Sequence, residues 1–296
     1  MELKSSKSFE EQLEILKSRN LKIDNWDDAL ETLSNVNYYN LTGYLFPFKG
    51  EDEKYQTGVT FEQIIALYNF DKEMHSLILF LLTEIEQTLK TKIVNSIALA
   101  YPEDPCIYEK EEFFKNPTEY QKFIKDFSRN IRNNKGVDFV KHHINKYEGK
   151  FPIWVAVELF TLGNIKYLHK NISNQLRKQI SSQFNISPII LDDWIESLRI
   201  LRNLSAHNMR LYGYTFKDAP KLSAIGYHEN IDNRLFGQFL LLKYLYFDKE
   251  NWNQKMNQLE DIISKSKSYV ELGEIGFPED WKSILSNKNS DHVIRR

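Results

Sequence analysis

A single cysteine, Cys106, occurs in the 296 residues. One thiol makes no disulfide framework and no zinc site that needs two thiolates, and it suits a reducing, cytoplasmic setting. The first seven residues, Met1 to Lys7, lack the apolar stretch of a signal peptide. The apolar run Leu77–Leu82 is far too short to cross a bilayer, so no membrane partner is expected. A basic excess is also missing. The net charge is −2, whereas proteins that coat nucleic acid are strongly basic. Any contact with nucleic acid must therefore come from a local patch.

Glycine and proline are scarce, at 11 and 8, and no long stretch alternates apolar and polar residues with the period of strands. Apolar residues instead recur at helical spacing almost throughout, which predicts an all-α protein. A short helix is expected over residues 8–20 and a second over 26–35, capped by Asp24 or Asn25. Thr60, with Gln63 three residues on, opens a long helix that runs to about Ala100, before Pro102. Further helices are expected over residues 120–133, 139–146, 173–184, 233–247 and 251–265, with another beginning at 153–162. The clearest start is Ser187-Pro188, with Asp192 and Asp193 early in the helix that follows. Residues 1–101 read as an N-terminal helical half, 102–286 as a second helical half, and 287–296 as a polar tail.

The helix from Pro188 leads into Arg202-Asn203-Leu204-Ser205-Ala206-His207. At 100° per residue, Ile190, Leu191, Trp194, Ile195, Leu198 and Leu201 form one apolar side, and Arg202 falls close to it. His207 falls on the opposite side of a continuous helix. For both to enter one cleft, the helix has to end or loosen between them. An arginine grips phosphate through paired hydrogen bonds, and a histidine moves protons near neutral pH. Together they suit attack of an RNA 2′-hydroxyl on its neighbouring phosphate, with no metal and no cofactor. By spacing alone R-x4-H is a common string. Its plain reading is an arginine paired with Glu158 or Glu196 beside a satisfied histidine.

The context of the string narrows that choice. The chain resembles the abortive-infection AbiD/AbiF-type, or Abi-like, family of bacteria along nearly its whole length. The residues carrying the resemblance are Tyr38-Tyr39, Gly43-Tyr44 and Phe48, then Gly58-x-x-Phe61, Leu67-Tyr68-x-Phe70-Asp71 and Glu84-Ile85-Glu86. They continue with Pro152 to Glu158, Gly163, Leu201-Arg202-Asn203, Ala206-His207, Arg210 and Gly276-Phe277-Pro278-Glu279-x-Trp281. The resemblance implies a HEPN-like helical bundle with additional N-terminal and C-terminal helices. It also implies a metal-independent endoribonuclease acting in phage defence or as a growth-arresting toxin. The implied partners are an RNA substrate and a second copy of the chain, with an RNA or protein antitoxin as a further one. Two departures concern the first half: Met74-His75 and Lys90 stand where the family tends to have arginine.

The candidate catalytic residues are thus Arg202, His207 and Asn203, with Arg210 and Glu158 supporting. Glu158 follows an apolar run and is expected to be part-buried. Lys166, Lys170 and Tyr212 are candidate RNA contacts. The adjacent His142 and His143 point to different sides of a helix and make no joint metal site. The competing function is a non-catalytic module that binds RNA or a phage protein through the same arginine and histidine.

Overall fold

The computed structural model describes residues 5–226 and 232–286. The expected polar tail at 287–296, and His228, lie outside the described residues. Thirteen α-helices and no strand longer than an isolated bridge occur among the described residues, so the protein is all-α as the periodicity predicts.

The helices start where small polar side chains satisfy free N–H groups. Ser8 caps α1 (Phe9–Ser18) with a reciprocal bond to Glu11. Asn25 caps α2 (Trp26–Asn35), and Thr60 caps α4 (Phe61–Ala100) by accepting from the Gln63 amide at 3.0 Å. The aromatic stretch after α2, which carried no helix expectation, coils into α3 (Tyr38–Leu45) under an Asn37 cap.

The 40 residues of α4 give a rod about 60 Å long. Its buried line includes Ile64, Leu67, Met74, Ile78, Leu81, Ile85, Leu89 and Ile93. The remaining helices are α5 (Pro117–Asn133), α6 (Asp138–Lys146), α7 (Ile153–Ala156), α8 (Leu162–Asn171), α9 (Asn174–Ser182), α10 (Pro188–Ala206), α11 (Leu235–Leu245), α12 (Lys249–Lys265) and α13 (Trp281–Leu285). Helices α3, α7, α8, α9, α10, α11 and α12 all pack on α4. One apolar core therefore runs from Leu13 to Leu285 around it.

The helix expected to begin over residues 153–162 is broken. After the single turn of α7 and a 3₁₀ turn at Val157–Leu159, Phe160 is extended. Thr161 and Asn164 then form a new capping box that starts α8. The break turns Trp154 and Glu158 outward, and Trp154 is 55% exposed. The part-buried Glu158 expected from the apolar run is thus exposed, because α7 is too short to present a continuous covered face.

A Ser–His–Asp arrangement sits between α8, α9 and α10. His169 Nδ1 bonds Asp192 at 2.7 Å, and Ser181 Oγ lies 3.5 Å from His169 Nε2. Arg177 also pairs with Asp192. His169 and Ser181 have no exposed surface, so no substrate can reach the hydroxyl. The group ties three helices together.

Candidate active site

Helix α10 ends at Ala206 through its local sequence. Asn208 adopts the left-handed conformation, with φ of 48°. The Met209 amide reaches back to the Leu204 carbonyl at 2.9 Å, and the Asn208 amide to Ser205 at 3.3 Å. This pair of bonds is the Schellman stop, in which asparagine substitutes for glycine. His207 is the cap residue. The helix therefore ends at the histidine and not between it and Arg202, as a shared cleft required, and the His207 amide still bonds the Asn203 carbonyl at 3.1 Å.

Arg202 and Asn203 line a cleft of about 530 Å³. Its other walls include Asn130 of α5 and Asn134 just past its end, Glu158, the first turn of α8 at Leu162-Gly163, and Arg199. Arg202 is exposed, which corrects the expectation that it points into packed apolar side chains. It does lie on that side of α10, beside Ile195, but there the cleft takes the place of a covering helix. His207 is exposed and is not among the residues lining the cleft. Within one chain, Arg202 and His207 do not converge on this cleft, contrary to the expectation of a shared one.

The basic residues separate into engaged and free. Arg199 holds Glu196 through two bonds, of 2.7 and 2.9 Å, and Lys166 joins the same carboxylate at 3.0 Å. Lys170 lies 3.5 Å from Glu119. Arg202 has no carboxylate partner among the described residues, its one hydrogen bond being to the Asn203 side chain at 3.4 Å. The side chain of His207 makes no hydrogen bond or ion pair among the described residues. Glu158 shares the cleft with Arg202 without pairing to it. The first turn of α8 adds the positive end of a helix dipole to the same wall.

Two of the expected contacts belong to the scaffold instead. Tyr212 is only 7% exposed, packs edge-on against Phe70, and its hydroxyl accepts from the Glu271 amide. It offers no face to a base. Arg210 donates to the Gly43 carbonyl at 2.8 Å.

Both residues belong to a network centred on Asp71, a residue of the family resemblance that carried no expected role of its own. Asp71 is buried on α4. It accepts from the Tyr44 hydroxyl at 2.7 Å, the Leu211 amide at 2.6 Å and the Tyr212 amide at 3.0 Å. Burial pushes its carboxyl up to about 6, against the pull of these donors and of Arg210. One turn on, His75 is buried and both ring nitrogens lack hydrogen-bond partners among the described residues. Burial pushes it down to about 4, only partly offset by the nearby Met209 backbone. Asp71 thus fastens the segment that follows His207 to the long helix. The signal was present in the sequence, since Asp71 falls on the line of Ile64, Leu67, Met74 and Ile78, and an acid there has to be satisfied.

With the geometry in place, comparison with known families decides the assignment. The model of the Abi-like protein family matches residues 31–213. The chain belongs to the Abi-like protein family. No curated protein and no solved structure matches it. The matched span covers the Asp71 network, the cleft and the R-x4-H stretch of this Abi-like protein. Membership gives it a role in abortive infection, a defence against phage. No helix among the described residues is long and apolar enough to cross a membrane, and no group of three or more His, Cys, Asp or Glu among them is placed to hold a metal ion.

Proposed function

We propose that this Abi-like protein is an endoribonuclease of HEPN type. Arg202 holds the scissile phosphate, and His207 transfers the proton between the 2′-hydroxyl and the leaving oxygen. The observation that carries this reading is the freedom of the pair. At one helix end an arginine without a carboxylate and a histidine without a partner stand in solvent, while Lys166, Lys170, Arg177, Arg199 and Arg210 are all engaged.

The chemistry is a transesterification. The 2′-oxygen forms a bond to phosphorus, the bond to the 5′-oxygen breaks, and a 2′,3′-cyclic phosphate and a 5′-hydroxyl result. The proton taken from the 2′-hydroxyl is balanced by one given to the departing 5′-oxygen. Arg202 and the first turn of α8 meet the charge that develops on the phosphoryl oxygens. Asn203, on the same wall, donates from its amide. Arg202 lines the cleft and His207 does not, so the second member of each pair comes from another copy of the chain, as a homodimer with a composite site provides.

The test is RNA incubated with pure protein in EDTA. Wild type is expected to leave 2′,3′-cyclic phosphate ends, and His207→Ala to cleave at least 10²-fold more slowly. Equal cleavage by both proteins would remove His207 from the chemistry. Growth arrest by a folded His207→Ala equal to that by wild type would favour the binding module instead.

A further inference from the structure

A second cavity, of about 380 Å³, adjoins the cleft, and Glu158 lines both. Its size falls within the range of small-ligand pockets, roughly 300–1,000 Å³. Helix α4 supplies Gln87, Lys90, Thr91 and Asn95, while the turn around α7 supplies Trp154. Trp154 is the most exposed of the five tryptophans: Trp194 and Trp252 show no surface, Trp281 shows 3%, and Trp26 is part-buried. Its neighbours Ile153 and Ala156 are fully buried. Two of the four side chains of the short helix are thus fully buried, and Trp154 presents its indole to the cavity.

Charge tells what fits there. Lys90 is the cavity's one cation, and it is neutralised by Glu86 at 2.7 Å. Glu158 has no ion-pair partner among the described residues and lines both spaces, so what separates them is the cation: the cleft has Arg202, and the cavity has no positive charge left over. Across Glu158, the cleft holds the free Arg202 and the start of α8. One side of Glu158 therefore suits a phosphate, and the other suits an uncharged, flat group ringed by amides and a hydroxyl.

We propose that the Trp154 cavity is a nucleobase subsite, in which the indole stacks on a base of a single-stranded RNA whose backbone passes Arg202. The proposal rests on the reading of the cleft as an RNA site. Stacking needs no hydrogen-bond readout, so it tolerates any base, and the amides add contacts to base edges.

The experiment measures binding of eight-residue 2′-O-methyl oligouridine and oligoadenosine to the full chain by fluorescence anisotropy. The methylated strand cannot be cleaved through its 2′-oxygen, so the result does not depend on catalysis. Wild type is expected to bind both strands with quenching of tryptophan fluorescence. Trp154→Ala should bind each about tenfold more weakly, with the quenching lost. Trp154→Phe should retain most of the affinity, and Trp154→Leu should not. Stacking is uncharged, so Trp154→Ala should keep the wild-type salt slope, whereas Arg202→Ala should flatten it. Binding by wild type with equal affinity in Trp154→Ala or Trp154→Leu would overturn the subsite and leave the cleft standing. No binding by wild type would overturn both. A change of sedimentation in Trp154→Ala without a change in RNA affinity would assign the indole to a protein contact and overturn the proposal.

Discussion

Arg202→Ala and His207→Ala, each inactive alone, are expected to recover activity when mixed. Each single variant should lose roughly 10²- to 10⁴-fold in the rate of RNA cleavage, the range for removing a proton-transfer group or a charge-stabilising donor. If each site takes Arg202 from one chain and His207 from the other, a mixed dimer holds one intact site and one doubly defective site. Random exchange of equal amounts makes about half the dimers mixed, so the mixture should reach about a quarter of wild-type activity. Only the arginine lines the cleft of its own chain, and that asymmetry motivates the expectation. Activity of the mixture equal to the mean of the two inactive proteins, with exchange verified by mass tags, would place both groups in one chain.

The second large effect concerns Asp71 and His75. Asp71→Ala is expected to cost about 3–5 kcal/mol at pH 7, because it leaves the Tyr44 hydroxyl and the Leu211 and Tyr212 amides unpaired in the interior. The loss should appear as a lower urea midpoint with an unchanged slope. It should also free the segment behind His207.

The pH dependence separates the two groups. The folded Asp71 carboxyl titrates near 6, above its ordinary 3.8, so the native state binds that proton more tightly. The proton-linked part of its contribution is present below about pH 4 and is lost as pH rises through about 6, roughly 3 kcal/mol in all, while the bonds it accepts from Tyr44, Leu211 and Tyr212 remain at pH 7. His75 titrates near 4, below its ordinary 6.5, so the unfolded chain binds that proton more tightly. Its contribution is present above about pH 6.5 and is lost as pH falls through about 4, by a similar amount. In the wild type the two slopes oppose each other across one window and largely cancel. His75→Leu should unmask a stability that falls from pH 4 to 6, and Asp71→Ala one that rises. Urea midpoints that follow parallel pH profiles in all three proteins would sink this account.

Much of this was legible in the residues. Thr60 and Ser187 each cap the helix they were expected to open, and of Asp24 and Asn25 it is Asn25 that caps the second helix, since capping is settled within four residues of chain. A helix end near the histidine was readable, but it falls after Ala206 and not between Arg202 and His207, and Asn208 in the left-handed conformation sets it. What failed depends on distant neighbours. Periodicity puts Arg202 on the inner side of α10, but it does not show that the cover there is a cleft. Tyr212 has the chemistry of a stacking platform and is spent on Phe70 and Glu271. Glu158 was read as part-buried from the run before it, whereas Thr161 and Asn164 break that run by starting a new helix.

The long helix also has a consequence for how this protein tolerates change in length. Asp71, which fixes the segment behind His207, and Glu86, which edges the cleft, are borne on one uninterrupted rod. Inserting a single residue between them would turn everything beyond it by about 100° and advance it by about 1.5 Å. The wall of the cleft would rotate away from its anchor, and the buried line would turn outward with it. The exposed turn at residues 51–54 lies outside that rod, so a change of length there leaves the helical register of the site intact.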